Sequence, residues 1–444
     1  MKNIKLGFWG LLLALTALWL LADTFLPQPF TYFSFRAVLV QYSGVIAFGA
    51  MSVAMLLALR FKWLERPFNG LDKMYRLHKW LGIAALVAAI VHWWWVQGTK
   101  WMVAWGWLVR PPRRPGAGMR LGPAGDWLRS QRGTAEMLGE WAFYAALILI
   151  VLALLRRFPY HLFKKTHKWL APVYLVLAYH AVILAKVEYW TQPMGWAIGT
   201  LAAGGGAAAL LVLLHRVGAG RKVQGVIESL IFYPELRVHE IAILVQDGWP
   251  GHAAGQFAFV TSRTDEGAHP YTIASAWDAA ARRIVFIVKE LGDHTGRLRE
   301  HLQVGMAVAV EGPYGCFDFS DSRPCQIWIG AGIGITPFVA RMKHLARTPG
   351  AQEIHLFHPT ADYAQAAIDK LTADARAAKV HLHVLVDARD GLLTPERIRA
   401  AVPQWRAASL WYCGPAGLGT VLREDFLAQG LDPADFHQEW FQLR

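Results

Sequence analysis

The stretches HKWLGIAALVAAIVH (His78–His92) and HKWLAPVYLVLAYH (His167–His180) share the word HKWL, and each closes on a second histidine. Between the histidines both are almost wholly apolar. A bilayer-spanning helix needs roughly 20 apolar residues, and an ionisable side chain inside one is costly enough to mark function by default. A helical rise of about 1.5 Å per residue puts His78 and His92 roughly 21 Å apart, and His167 and His180 roughly 19–20 Å apart. The span from His78 to His92 is two heptads, so both face one seam of a bundle. If the two helices run the same way, His78 meets His167 at one level and His92 meets His180 at the other. Facing imidazoles can bind a haem iron from both sides, and bundle interiors hold such cofactors. Two levels would stack two haems across a hydrocarbon core about 30 Å thick. Zinc needs three or four ligands near one point, which pairs this far apart do not supply. A hydrogen bond to a neighbouring helix carbonyl is the remaining reading of each histidine.

The second helix carries a phase problem. At about 100° per residue, His180 falls about 140° around the helix from His167. Pro172 lies between them and should kink the helix; a kink or local overwinding would restore the seam, and offset haems are the alternative. Tyr174, two turns after His167, is a candidate for the gap between haems or for plain core.

Working outward, the 444-residue chain is 55% hydrophobic with 21 Trp, long enough for two or three domains. Six candidate spans cover about 6–26, 36–59, 76–97, 137–155, 167–187 and 194–215. The start MKNIK before a short apolar run also suits a cleaved signal peptide. The net charge of +13 comes largely from cations between apolar runs, such as Arg60, Lys62, Arg156, Lys164 and Arg221. Cytoplasmic loops carry such an excess, so the charge reads as topology and not as a nucleic-acid footprint. With the N-terminus inside, a long loop over about 98–136 lies outside. Its WMVAWGWLV suits an interfacial segment or lid, and its RPPRRPGAG should be irregular. Arg36 and Gln41, near the outer start of the second span, are weak acceptor-side candidates.

After Arg216 the texture becomes that of a soluble protein. Short alternating runs over about 220–320 predict an antiparallel barrel or sandwich. From Gln326 the pattern is buried strand, glycine turn, helix, which predicts a doubly wound parallel sheet. The expected architecture is therefore multi-domain. A six-helix transmembrane bundle over 1–216 is followed by an antiparallel β-barrel domain over 217–322 and an α/β nucleotide domain over 323–444. Cys316, Cys325 and Cys413 show no metal-type spacing and no disulfide framework. In IGAGIGITPF, Gly330, Gly332 and Gly334 lie between strand and helix, where small residues let a pyrophosphate approach the helix N-terminus. Thr336 and Pro337 form the helix entry.

Taken together, these features resemble the ferric reductase and NADPH oxidase transmembrane family of flavocytochromes b, with a ferredoxin-reductase-type FAD/NAD(P) portion. The histidine spacings carry the resemblance, as does HPYTIAS (His269–Ser275), similar to that family's flavin motif. The resemblance implies that Tyr271 packs on the isoalloxazine, that Thr272 hydrogen-bonds near N5, and that His269 lies near the FAD phosphates. Pro270 and Ser275 belong to the same segment. KELGDHTGRL (Lys289–Leu298) is similar to the family's second FAD segment, with Gly292 and Thr295 as contacts. YCGP (Tyr412–Pro415) resembles the segment beside the nicotinamide, which would place Cys413, Gly414 and Pro415 there. The terminal FHQEWFQLR resembles a C-terminus in which Phe441 covers the flavin and Glu439 lies near it. Two departures stand out. LFHPTADYAQ has no Arg placed for a 2′-phosphate, and Val96 stands where oxidases of the family carry a further histidine.

The implied protein sits in the bacterial inner membrane, with its N-terminus and FAD/NAD(P) domains in the cytoplasm. It takes electrons from NADPH or NADH through FAD and two haems. The acceptor outside would be O2, giving superoxide, or ferric or cupric complexes. An electron-feeding subunit for an envelope protein is the alternative. A membrane-anchored flavin reductase with purely structural histidines is a third.

Overall fold

The computed structural model describes residues 2–111, 122–155, 157–263, 266–292 and 294–439. The chain divides into two compact units. One joins Met1–Leu64 to Lys73–Val217, and the other joins Glu65–Asp72 to Gly218–Arg444.

The first unit is helical. The helices in chain order are α1 (Lys2–Ala22), α2 (Tyr32–Leu57), α3 (Lys62–Phe68), α4 (Leu71–Ala104), α5 (Gly122–Leu154), α6 (Tyr160–His167), α7 (Leu170–Leu184) and α8 (Pro193–Leu213), with most of α3 and the first two residues of α4 counted in the second unit. Among the described residues six helical stretches are long and apolar enough to cross a membrane, the fifth being Leu162–Leu184. The expected loop over 98–136 is much shorter in the structure, because α4 continues to Ala104 and α5 begins at Gly122. No proline interrupts the chain between His92 and Ala104, and Trp101 packs edge-on against Trp93 at 5.6 Å. Most of RPPRRPGAG lies outside the described residues.

Pro172 splits the fifth span. Proline has no N–H to return to the carbonyl four residues back, and its ring crowds that carbonyl. The carbonyl belongs to Lys168, and Lys168–Trp169 is the turn that separates α6 from α7. There the backbone switches to tighter three-residue bonds, Trp169 N–H to Thr166 O (3.0 Å) and Ala171 N–H to Lys168 O (3.1 Å). Such overwinding shifts the helix phase.

Within this unit α5 packs on α7, α7 on α8, and α2 on both α7 and α8. Trp19, Phe48, Tyr174 and Tyr189 centre the core. By contrast, α4 has no such close backbone packing with α7.

The second unit holds two sheets. The first comprises β1 (Lys222–Tyr233), β2 (Val238–Val245), β3 (Phe257–Thr261), β4 (His269–Thr272), β5 (Arg283–Lys289) and β6 (Ala307–Tyr314). All pairs are antiparallel, in the order β4-β3-β6-β1-β2-β5. Among the described residues a single bridge, Ile273 to Phe286, joins the two edges. The expected barrel is thus a curled sheet whose seam is one bridge wide. A four-residue helix, α9 (Leu298–His301), precedes β6.

The second sheet is parallel. Its elements alternate as β7 (Cys325–Gly330), α10 (Thr336–Leu345), β8 (Glu353–Thr360), α11 (Gln365–Ala377) and β9 (His381–Val386). Then follow α12 (Asp387–Asp390), α13 (Pro395–Ala401), β10 (Ala408–Cys413), α14 (Ala416–Ala428) and β11 (Phe436–Gln438). The order is β11-β10-β7-β8-β9. Every residue of β7 is buried, as expected where helices cover both faces. Trp328 and Phe338 belong to one layer, and Ile327, Ile329 and Phe426 to the other.

Candidate functional site

In the helical unit the four sequence-predicted histidines form two pairs. The rings of His78 and His167 have centroids 5.9 Å apart, and those of His92 and His180 are 6.2 Å apart. A metal at about 2 Å from one nitrogen of each ring puts the centroids about 6 Å apart. Three of the rings are held through Nδ1. His78 donates to Ala54 O (2.8 Å), His92 to Val40 O (2.9 Å) and His180 to Ala135 O (2.8 Å). That tautomer leaves Nε2 as a lone-pair donor, the usual state of a ligating imidazole. His167 differs: its Nδ1 is buried without a hydrogen-bond partner. The residues fit two bis-histidine haems in ligand type and spacing, and three of the four rings fit in tautomer. The separation of α4 from α7 leaves room for a planar group between them.

Around His92 and His180 lies a cavity of about 900 Å³, at the upper end of the range for ligand pockets. Arg36 and Gln41 both line it. Arg36 Nε donates to Trp95 O and Thr99 Oγ1, each at 3.1 Å, and Gln41 Nε2 donates to Leu184 O at 3.2 Å. Arg132 and Glu136 line the same cavity and were not singled out in the sequence. A helical reading forward from Arg132 would have found them, since positions four apart share a face. Gly44 and Gly139 were also missed. Gly139 lies so close to His180 that a Cβ there would overlap the imidazole.

Tyr174 is core. It is buried, its hydroxyl donates to Leu201 O (3.0 Å) and pairs with Ser52 Oγ (2.9 Å), and its ring stacks on Phe48.

In the second unit HPYTIAS forms β4 and the bridge that follows it. Pro270 and Thr272 pair with Phe259 and Phe257 on β3, which leaves Tyr271 opposite Ala258. Burial raises the Tyr271 hydroxyl's pKa, so it stays a phenol. That hydroxyl is 2.9 Å from His294 Nε2, and His294 stacks flat on His269 with centroids 3.5 Å apart. The other ring nitrogen of His294 pairs with Glu266. His294, inside the quoted KELGDHTGRL, was not singled out in the sequence. Ser275 has a structural task, since its Oγ accepts from Val285 N–H (3.1 Å) at the sheet seam. Thr295 Oγ1 accepts from the backbone N–H of Leu291 (2.9 Å) and of Gly292 (3.1 Å). The Gly292 donor is therefore used inside its own loop. The segment leads into the four-residue α9. Tyr271, His269 and His294 form a clustered aromatic and donor set suited to a flavin.

The nucleotide sheet reverses its strand order between β7 and β10, and open α/β sheets bind ligands at such points. Gly330 pairs with Cys413 there, so IGAGIGITPF and YCGP lie side by side. Ala331 N–H donates to Cys413 O (3.0 Å). Gly332 has φ +54, and a Cβ on Gly334 would overlap Cys413 O, so two of the glycines are required by the turn itself. Thr336 Oγ1 donates to Ile333 O (2.8 Å) and Pro337 sits in the first turn of α10. His358 Nδ1 donates to Gly330 O (2.7 Å), steadying the loop from β8. Gly414 and Pro415 continue from Cys413 into α14, and Pro415 O accepts from the Tyr412 hydroxyl. Cys413 is fully buried, and burial followed by the nearby Glu439 pushes its thiol pKa well up. Glu439 N–H donates to Tyr412 O (3.3 Å). Phe441 lies outside the described residues.

The fold joins six helices long and apolar enough to cross a membrane, among the described residues, to an antiparallel sheet and a parallel sheet of nucleotide-binding type. Residues 43–178 match the family described as "Ferric reductase like transmembrane component", and residues 243–317 match "FAD-binding domain". The chain thus joins a ferric-reductase-like transmembrane component to an FAD-binding reductase portion. It is 28% identical over 190 residues to an NADPH oxidoreductase of Mycobacterium tuberculosis, covering 40% of this chain and 50% of that protein. It is 26% identical over 215 residues to a flavohemoprotein of Xylella fastidiosa, covering 44% and 53%. The chain spans about half the length of these relatives. Among solved structures, a flavohemoglobin from Malassezia yamatoensis with bound FAD and haem aligns with TM-score 0.48 and 16% identity. That alignment covers 91% of this chain and 98% of the other.

Proposed function

We propose that this chain is a transmembrane oxidoreductase that draws electrons from cytoplasmic NADPH or NADH and delivers them to an acceptor on the outer face. Its resident cofactors would be FAD and two b-type haems, and the acceptor O2 or ferric or cupric complexes. The observation that carries the reading is the pairing of four histidines at two levels, with ring centroids 5.9 and 6.2 Å apart. When bound, the flavin and haems supply the conversion of a two-electron donor into single-electron transfer.

The chain's own residues position and insulate. His78 with His167, and His92 with His180, would hold the irons. The Nδ1 hydrogen bonds fix three of the rings and raise their basicity. Two imidazoles to each iron would leave the haems to supply electron transfer and not a binding place for the acceptor. Arg36, which lines the same cavity as His92 and His180, would supply positive charge for a haem propionate or an anionic product. Tyr271 and Thr272 would orient the flavin ring, with His269 and His294 at its edge. The loop from Gly330 to Pro337 would take the dinucleotide pyrophosphate. Cys413 would pack beside the nicotinamide as a neutral thiol, and Glu439 near the flavin.

Optical spectroscopy of the purified protein during NADH and NADPH titration tests this. A low-spin bis-histidine spectrum at about two haems per chain, reduced by either coenzyme through bound flavin, is expected. A haem-free protein that still oxidises NADH would reduce the reading to a membrane-anchored flavin reductase. Superoxide formation sensitive to superoxide dismutase distinguishes oxygen from ferric chelates as acceptor. Little turnover with either would favour a protein acceptor.

A further inference from the structure

At the end of the parallel sheet away from the nucleotide loops, five metal-ligating side chains share one face. Cys325 opens β7 and pairs in register with Glu353, which opens β8. His355 pairs with His381 on β9, and Phe357 with His383. Directly opposed residues, and residues two apart on a strand, share a face. The Cys325 sulfur, a Glu353 carboxylate oxygen and a His355 ring nitrogen all lie within 4.8 Å of one another. His355 Nε2 is 3.0 Å from Glu353 Oε1, and His355 Nδ1 is 3.3 Å from His383 Nε2. His381 stacks on His355 at 4.8 Å.

We propose that Cys325, Glu353 and His355 form a binding site for a zinc-class divalent cation, with His383 orienting His355. Thiolate, imidazole and carboxylate together are the ligand set zinc takes, and three protein ligands leave a fourth position for water. Cys325 and His355 are buried, whereas the Glu353 side chain is 46% exposed and opens the site to solvent. A ligating histidine is normally fixed by a hydrogen bond at its other ring nitrogen, and His383 Nε2, 3.3 Å from His355 Nδ1, would accept one there once Nε2 turns to the cation. Burial and Glu353 push the Cys325 thiol up to about 11, so without metal it stays protonated. Binding releases that proton to solvent, and the cation then meets one thiolate and one carboxylate, which balance its charge. The bound cation would clip β7 to β8 at the rim. No metal spacing shows in the sequence because Cys325 comes from β7 and the Glu353–His355 pair from β8.

The competing account is a plain hydrogen-bonded chain, in which Gln404 Nε2 donates to Glu353 (2.9 Å) and Glu353 in turn meets His355. Cobalt(II) titration of the tag-free, FAD-loaded full-length protein decides between them. One Co2+ per chain with a thiolate-to-cobalt charge-transfer band, displaced by Zn2+, is expected. C325S should abolish the band while flavin content stays that of the parent, which shows that the fold is kept. E353Q and H383A change side chains at the rim, and each should weaken cobalt binding roughly 10–100-fold. Absence of the band, its persistence in C325S, or unchanged affinity in both E353Q and H383A would overturn the proposal.

Discussion

Gly139 packs directly against the imidazole of His180, so closely that a Cβ at position 139 would overlap the ring's Nδ1. The same nitrogen donates to Ala135 O, one turn earlier on α5. A backbone position and a small residue on α5 together set the ring that faces His92.

Gly139→Ala should therefore displace His180 without touching the flavin unit. Haem content is expected to fall from about two to about one per chain, with FAD content unchanged. The haem-to-flavin ratio of purified protein reads this directly. An unaltered ratio and spectrum would show that the ring can move aside without cost.

Pro172→Ala restores an N–H that can return to Lys168 O and so favours a continuous helix through the break. A regular helix would swing His180 about 140° from the phase of His167, so one pair should fail. The expected readout is loss of one haem's signal and a shift to high spin. A parent-like spectrum would mean that tertiary packing, not proline, holds the turn.

Tyr174→Phe removes one hydroxyl hydrogen bond to Leu201 O and one with Ser52. Side-chain hydrogen bonds between membrane helices contribute about 0.6 kcal/mol each on average. The variant should lose roughly 1 kcal/mol in thermal or denaturant unfolding, with haem spectra and electron transfer unchanged. A changed reduction rate in folded protein would place Tyr174 in the electron route.

The Cys413 thiol is pushed up by burial and by Glu439, so the thiolate is disfavoured throughout the physiological range. A group whose pKa rises in this way keeps its neutral form as pH increases. The rate of flavin reduction by NADH should accordingly show no thiol inflection between about pH 7 and 9, and native protein should resist alkylation at Cys413. A cysteine-dependent inflection that vanishes in C413A would contradict a purely packing role.

Much of this was legible in the chain itself. The six apolar stretches follow from length and hydropathy, because a bilayer leaves few other ways to satisfy a backbone. The pairing of His78 with His167 and of His92 with His180 followed from a fixed helical rise. The glycines of IGAGIGITPF were readable because a turn between strand and helix leaves little room for side chains. Other features were not. The loop expected over 98–136 is largely helix, since Trp side chains that read as interfacial also pack on one another along α4. The resemblance gives Gly292 as an FAD contact, but not that its N–H donates to Thr295 Oγ1 within the loop.

The sequence by itself determined which side chains carry the chemistry and how far apart they lie along each helix, because rise per residue is a local property. Only the tertiary structure decided their phase and their partners. The break that Pro172 sets at Lys168–Trp169 goes with the facing of His180 and His92, and the α5 backbone at Ala135 and Gly139 fixes that ring. The strand reversal between β7 and β10 brings Cys413 beside Gly330. Those relations depend on packing between elements remote in sequence, which no local pattern records.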